Sequence, residues 1–258
     1  MELCLISCNI RFDNPADGQN SWPLRRPFLT ETLLKHSPDL VSTQEGRIQQ
    51  LGELKDSLGD FELIDQHRSW IGERMYPTIF IKENKFEFLG SGDVWLSETP
   101  NVAGSRSFES AFPRLMTWSK LQLKNSEQKF LIINTHLDHV KSETRQSQVK
   151  VLVQEVQRIW DQRSALVFMG DYNDSPASAV RDILMKSFPG LQDAWRIFNA
   201  TEETSHHSFK GETQNGSRID WILVDEKLEL LSCEMDKSSA DGFYPTDHYP
   251  VVCRLRVL

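Results

Sequence analysis

The stretch ALVFMGDYNDSP, residues 165–176, sets a carboxylate and an amide at the end of an apolar run. Ala165 to Met169 has the unbroken hydrophobicity of a strand covered on both faces. Gly170 lets the backbone turn. Asp171 and Asn173, two apart in extended chain, face the same side. Oxygen donors of this kind suit a hard cation such as Mg²⁺. A strand ending in Gly-Asp with Asn after it is also ordinary turn chemistry, so the stretch alone decides nothing.

The same grammar recurs along the chain. LCLISCNIR runs an apolar strand into Asn9, and DLVSTQEG runs another into Gln44 and Glu45. KFLIINTHLDH delivers Asn134, His136 and Asp138, and TDHYPVVCRL sets Asp247 and His248 just before the last strand. Each polar residue taken singly reads as a strand-end cap. Together they are carboxylates, amides and imidazoles, the groups that bind metals and move protons, repeated at one strand end after another.

Asp220 stands apart, because Ile219, Trp221, Ile222, Leu223 and Val224 surround it. An ionised carboxylate in such a strand costs several kcal/mol unless a partner compensates it. Arg218 is one candidate. His248 is the expected partner, with the carboxylate fixing the imidazole's tautomer and favouring its protonated form.

These residues need elements to hold them. The patterning predicts strands over 3–10, 61–65, 78–81, 86–96 and 115–123, besides those already named. Helices are expected over 23–36, 47–58 and 142–160. Leu24, Phe28, Leu29 and Leu33 are expected on one face of the first helix, and Val149, Leu152, Val153, Val156 and Ile159 on one face of the longest. Strands outnumber helices and come partly in consecutive pairs, which predicts mixed sheets.

Asn9, Gln44-Glu45, NTHLDH, GDYN, RIDWIL and TDHYPV, in this order, resemble the endonuclease/exonuclease/phosphatase superfamily. The likeness runs from residue 9 to residue 248, and the short build with its SETP segment looks closest to a small bacterial branch. It implies an α/β fold: a four-layer α/β/β/α sandwich, two packed mixed sheets flanked by helices, as in deoxyribonuclease I. It also implies a Mg²⁺-dependent hydrolase of phosphate esters, with Mn²⁺ as a substitute ion and activated water attacking phosphorus. By the same resemblance Asn9 and Glu45 hold the metal, with Asp247 a further metal-side carboxylate. His136 stabilises charge on the reacting phosphate, Asp171 and Asn173 orient or deprotonate water and contact the phosphate, and Asp220 and His248 form a dyad. His207, in SHHSFKG, falls near the site.

Arg11, Arg106 and Arg114 are the expected phosphate-gripping cations, each weighed against a solvated loop residue. His139 is left open, and Trp22 and Trp70 are expected in the core rather than on a base. The segments SETPNVAGSRSFESAFPR and TSHHSFKGETQNGSR are expected to set specificity. A nucleotide or single-stranded nucleic acid phosphodiester is the expected substrate. The alternatives are a phosphomonoesterase acting on sugar, lipid or inositol phosphates, and a noncatalytic binding module that keeps the fold. A two-metal phosphatase is disfavoured, because no second GD motif and no Gly-Asn-His segment is present.

The composition agrees with a catalytic domain of this size. The chain has 258 residues, 39% hydrophobic and 26% charged, enough for one two-sheet domain over 1–258. Its net charge of −8 argues against nonspecific grip on duplex nucleic acid. Cys4, Cys8, Cys233 and Cys253 all lie in apolar segments without a CxxC pair, and no leader or membrane span is visible. Cytoplasmic residence, no membrane contact and no protein partner are the resulting expectations.

Overall fold

The structure is a computed structural model that describes residues 1–211 and 216–258. β1 (Glu2–Asn9) leads through a 3₁₀ turn at Pro15–Asn20 into α1 (Trp22–Leu34). β2 (Leu40–Gly46), α2 (Ile48–Leu58), β3 (Phe61–Ile64) and β4 (Tyr76–Lys82) follow. β5 (Phe86–Trp95), β6 (Leu115–Leu123), β7 (Lys129–His136), α3 (Ser142–Ile159) and β8 (Ala165–Asp171) form the middle of the chain. α4 (Ala179–Ser187), β9 (Leu191–Asp193), α5 (Ala194–Phe198), β10 (Asp220–Asp225), β11 (Leu228–Met235) and β12 (Val251–Val257) complete it.

Among the described residues the strands make two six-stranded mixed sheets, β11-β12-β1-β2-β4-β3 and β5-β6-β7-β8-β10-β9. Alternation along the strands assigns each face its cover. Leu3 and Leu5 of β1 meet Ile132 of β7 and Val167 and Met169 of β8 in a core between the sheets. Cys4, Ile6 and Cys8, the alternate residues of β1, pack outward with Leu29 and Leu33 of α1 and Leu51 and Leu54 of α2. On the far side Leu131, Ile133, Leu166 and Phe168 pack with Val149, Leu152, Val153 and Val156 of α3 and Leu184 of α4. This is the expected α/β/β/α sandwich. No helix among the described residues is long and apolar enough to cross a membrane.

The structure differs from the sequence reading in three local respects. α4, β9, α5 and β11 were not anticipated: β9 has three residues, α5 has five, and a bulge between Leu230 and Ser232 breaks the alternation of β11. In α1 the buried stripe is Trp22, Arg25, Leu29, Thr32 and Leu33, while Leu24 is exposed. Leu24 precedes Arg25, and one residue turns a helix by about 100°, so the burial of Arg25 carries Leu24 to the surface. β1 ends at Asn9, one residue short of the expected Ile10, and just beyond it Arg11 has a φ of 53°.

Topology gathers the polar strand ends. β1 and β2 are parallel, with Asn9 beside Gln44, and β7 and β8 are parallel, with His136 beside Asp171. β10 runs antiparallel to β8, so its first residue, Asp220, pairs with Asp171. β12 runs antiparallel to β1 and starts where β1 ends, which brings in the Asp247-His248 segment just before it. Two polar ties hold the sheets in register at this end. Asn134 donates to the carbonyl oxygens of Thr43 (2.8 Å) and Thr78 (2.9 Å) on the opposite sheet, and accepts from Gln44 Nε2 at 2.8 Å. Arg68 donates to both carboxylate oxygens of Asp93 on β5, and to the hydroxyls of Thr78 and Thr117 on β4 and β6.

Candidate active site

A cavity of about 410 Å³ opens at this end, lined by Arg11, Glu45, Arg114, His136, Asp171, Asn173, Asp247 and His248 among others. Asn9 and Asp220 lie directly beneath it, both buried. Ten of the twelve residues expected from the sequence are thus in or under one cavity. Arg106 is elsewhere: it borders a separate surface depression and donates to the carbonyl of Ala111 at 3.2 Å. His207 points into the protein, stacked on Tyr249 with ring centroids 4.2 Å apart. Burial foremost pushes its pKa down to about 4. Its neighbour His206 lines the cavity instead. Adjacent residues in extended chain face opposite sides, so the pair SHH marked the place without telling which ring faced in. Residues 212–215 of the second expected specificity segment lie outside the described residues.

Backbone conformations aim the site residues. Glu45 sits where the pairing of β2 with β4 shifts register between Thr43 and Gly46, and it takes a φ of 67°. Bulges of this kind re-aim a side chain out of the ladder. Arg11 and Asn173 also have positive φ, 53° and 51°; such conformations cost energy outside glycine and cluster at functional sites. Gly170 is needed for contact: a Cβ there would lie 2.3 Å from the carbonyl oxygen of Thr135. β8 can therefore press against β7 immediately before Asp171.

Asp171 is the hub. Its Oδ1 accepts from the Asn173 backbone N–H at 2.9 Å and its Oδ2 from Asn9 Nδ2 at 3.0 Å. The same Oδ2 lies 3.4 Å from His136 Nε2 and 3.9 Å from His248 Nε2. Burial, then the nearby Asp220 carboxylate, pushes the pKa of Asp171 up to about 7. His248 Nδ1 stands 2.8 Å from Asp220 Oδ2. Burial would lower the pKa of His248, but Asp220, Asp247 and Asp171 raise it to about 10, so the imidazole is protonated. Asp220 thus meets the histidine expected for it, while Arg218 pairs with Asp193 and Glu202.

The second histidine has the opposite charge state. Arg114 donates through a terminal nitrogen to His136 Nδ1 at 3.0 Å. A guanidinium only donates, so Nδ1 accepts and the proton is on Nε2, facing Asp171. Burial and then the charge of Arg114 hold His136 well below the ordinary imidazole range. The site therefore joins one neutral and one cationic imidazole around a single carboxylate. Asn173 donates its amide to the carbonyl of Leu137 at 3.0 Å, tying the loop after β8 to the loop after β7. Asp138 accepts from Ser110 Oγ and from the N–H groups of Ala111, Val140 and Lys141, which fixes the segment that presents Arg114.

The donor chemistry beside Asp171 fits a hard divalent cation. Glu45 accepts from Asn9 Nδ2 at 3.2 Å and from the N–H of Phe12 at 3.1 Å. Among the described residues it forms no ion pair within 4.0 Å, although it is half-buried at the cavity. A carboxylate so placed, beside a second carboxylate, offers oxygen donors of the kind Mg²⁺ prefers, while Asn9 turns its Nδ2 to both carboxylates and its Oδ1 to the Arg11 N–H. Two clusters of closer groups, Asp171–Asp220–His248 and His206–Asp247–His248, could also hold an ion. Both share His248, whose Nδ1 is already engaged with Asp220. Asp247 lies 3.9 Å from Arg11 Nε and 3.8 Å from His206 Nε2. Burial acts to raise it, yet the two histidines and Arg11 hold it well below the usual carboxylate range.

Several cavity residues had no signal in the sequence. Phe112, 45% exposed, stacks on His139 with centroids 5.8 Å apart and forms a shelf beside Arg114. Arg47 and Arg74 line the cavity, and the buried Arg25 donates to the carbonyls of Ile10 and Arg11, the latter a lining residue. Arginines in a loop or on an amphipathic helix read as surface residues until the fold is known.

Comparison with known proteins bears on the family and the fold. The family described as Endonuclease/Exonuclease/phosphatase family matches residues 6–248. A crystal structure of an endonuclease/exonuclease/phosphatase from Bacteroides vulgatus is 26% identical, covers 100% of both chains and has a TM-score of 0.91. A Bacteroides thetaiotaomicron mannosyl-6-phosphatase is similar in fold, with 24% identity, a TM-score of 0.86 and 98% and 99% of the two chains covered. Protein angel of Drosophila melanogaster is 26% identical over 220 residues, 82% of this chain, and the match spans 60% of that protein's length. The chain belongs to the endonuclease/exonuclease/phosphatase family and is by that membership a hydrolase of phosphate esters.

Proposed function

We propose that the protein is a divalent-metal-dependent phosphodiesterase acting on a nucleotide or a short single-stranded nucleic acid. The observation that carries the reading is the convergence of Asp171 with the two imidazole Nε2 atoms, at 3.4 and 3.9 Å, one ring neutral and one cationic. A phosphodiester is an anion whose hydrolysis is limited by charge and positioning. The protonated His248 and the His136 Nε2–H bind non-bridging oxygens, and Arg114 keeps His136 in the donating tautomer. Asp171, raised to about 7, accepts the proton of the attacking water. The new P–O bond forms as one ester P–O bond breaks, and the departing alkoxide takes its proton from solvent. Glu45 and Asn9 would hold a Mg²⁺ ion, with Asp247 as a further carboxylate. When bound, the ion supplies Lewis-acid polarisation of the phosphoryl oxygens.

The Phe112–His139 shelf supports the nucleotide assignment, since an exposed aromatic face beside a phosphate site offers stacking to a base. The likeness to a mannosyl-6-phosphatase supports a second reading, a sugar phosphomonoesterase. The buried free cysteines suit a reducing, cytoplasmic setting. Turnover of bis(p-nitrophenyl) phosphate and p-nitrophenyl phosphate with Mg²⁺, and again with a chelator, tests the proposal. It expects faster diester hydrolysis that the chelator abolishes. Faster monoester hydrolysis favours the second reading, and chelator-insensitive turnover contradicts the metal assignment.

A further inference from the structure

From the geometry we infer that the cavity contains a second anion subsite, formed by Arg47 and Arg74, which seats a phosphate of the substrate other than the one being hydrolysed. The inference rests on the reading of the site as a phosphoester hydrolase and adds to it the class of substrate: a compound with at least two phosphates.

The four cavity arginines are not equivalent. Arg11 is spent on Asp17, with Nε and a terminal nitrogen each 3.0 Å from a carboxylate oxygen. Arg114 directs both terminal nitrogens to His136 and His139 beside Asp171, leaving only its buried Nε without a partner. Arg47 and Arg74 remain. Arg47 reaches the cavity two residues beyond Glu45, from the metal side of the site. One terminal nitrogen donates to the carbonyl of Asp13 at 3.2 Å, and its guanidinium lies 5.0 Å from the centroid of Phe12. Phe12 is itself anchored by its N–H on Glu45. The guanidinium is therefore held in place before any ligand arrives. Its Nε is shielded from solvent and has no acceptor. Its other terminal nitrogen makes no hydrogen bond among the described residues and is not shielded, so an anion in the cavity can reach it.

The counter-ion of Arg47 is weak competition. Glu73 lies 3.2 Å away but is 87% exposed, so it can swing into water when an anion enters. Arg74 follows Glu73, lines the same cavity and has no carboxylate within ion-pair distance among the described residues. Arg74, and Arg47 with only an exposed counter-ion, oppose the average field of a chain of net charge −8. A phosphate has the planar-fork complementarity and charge to take both. It could belong to the next nucleotide of a strand or to the far end of a small sugar bisphosphate.

The test compares paired ligands that differ by one phosphate: a dinucleotide with and without a 5′-phosphate, and glucose 1,6-bisphosphate with glucose 6-phosphate. Binding is measured by calorimetry in chelator, for wild type and for Arg47→Gln/Arg74→Gln, with Arg74→Glu as a second variant and thermal unfolding as the check on folding. Wild type is expected to bind at least one bisphosphorylated member about tenfold or more tightly than its partner. That advantage should vanish in both variants, with affinity for the less phosphorylated member unchanged. An advantage confined to the dinucleotides identifies a nucleic-acid backbone, and one confined to the sugars identifies a small bisphosphate. Equal binding within both pairs by wild type, or an advantage that survives both variants, overturns the subsite. With Mg²⁺, KM should rise in the variants for the same member and kcat should hold. Wild type that binds with this preference but hydrolyses neither pair would contradict the hydrolase reading and leave the subsite standing.

Discussion

Asp220 Oδ2 and His248 Nδ1 stand 2.8 Å apart although 28 residues separate them, and they connect the first residue of β10 to the turn before β12. The carboxylate fixes which nitrogen of the ring faces the substrate and keeps the ring charged against the pull of burial. Replacing Asp220 by Asn keeps the shape and removes the charge. The variant should lose about 10²–10⁴-fold in kcat, with KM little changed. The His248 imidazolium, which persists to about pH 10 in the wild type, should deprotonate at lower pH. NMR titration of the ring, compared between the two proteins, reads that shift directly.

Arg25 is a positioning residue that clasps three chain segments beside the site. Its guanidinium donates to the carbonyls of Ile10 and Arg11 (2.5 Å each), Asn20 (3.0 Å) and Pro245 (3.4 Å). The first two follow Asn9, and Pro245 precedes Asp247 and His248. Thr246 adds a bond from its hydroxyl to the carbonyl of Asn9 at 2.7 Å. Arg25→Met should destabilise the protein by about 2–4 kcal/mol and lower kcat as well. Arg25→Lys should rescue little, because one ammonium cannot span carbonyls on three segments. Denaturant unfolding and steady-state kinetics on the same samples check both statements. Recovery of full stability by the Lys variant would contradict the clasp.

The inter-sheet tie through Asp93 makes stability depend on acid. Burial acts to raise this carboxyl, but His67 and the Arg68 guanidinium hold it down to about 2. Its unfolded value is near 3.8, so the folded state prefers the ionised form. The tie is at full strength above pH 3.8 and is lost as the pH falls towards 2, a contribution of about 2 kcal/mol. Asp93→Asn should show a flatter decline of melting temperature over that range than the wild type. Parallel declines would contradict the tie.

How much of this was legible beforehand follows from what each signal encodes. Strand ends at Asn9, Glu45, His136 and Asp171 were readable because an apolar run that stops on a carboxylate, an amide or an imidazole is visible in one dimension. The burial of Asp220 was readable for the same reason. What could not be read was direction. The bulge that turns Glu45 into the cavity and the choice of His206 over His207 depend on backbone angles. Arg47, Arg74 and Arg25 differ from surface arginines only through partners distant in sequence. α4, β9 and α5 are too short for a pattern to emerge, and the bulge in β11 breaks its alternation.

The central claim is that Asp171 serves the two imidazoles and the attacking water at one phosphate. Single-turnover hydrolysis of a phosphodiester by Asp171→Asn at neutral pH with saturating Mg²⁺ tests it most directly. A loss of about 10²–10⁴-fold in the chemical step, with substrate binding and melting temperature retained, is the predicted result. Turnover within a few-fold of wild type by a folded variant would contradict it.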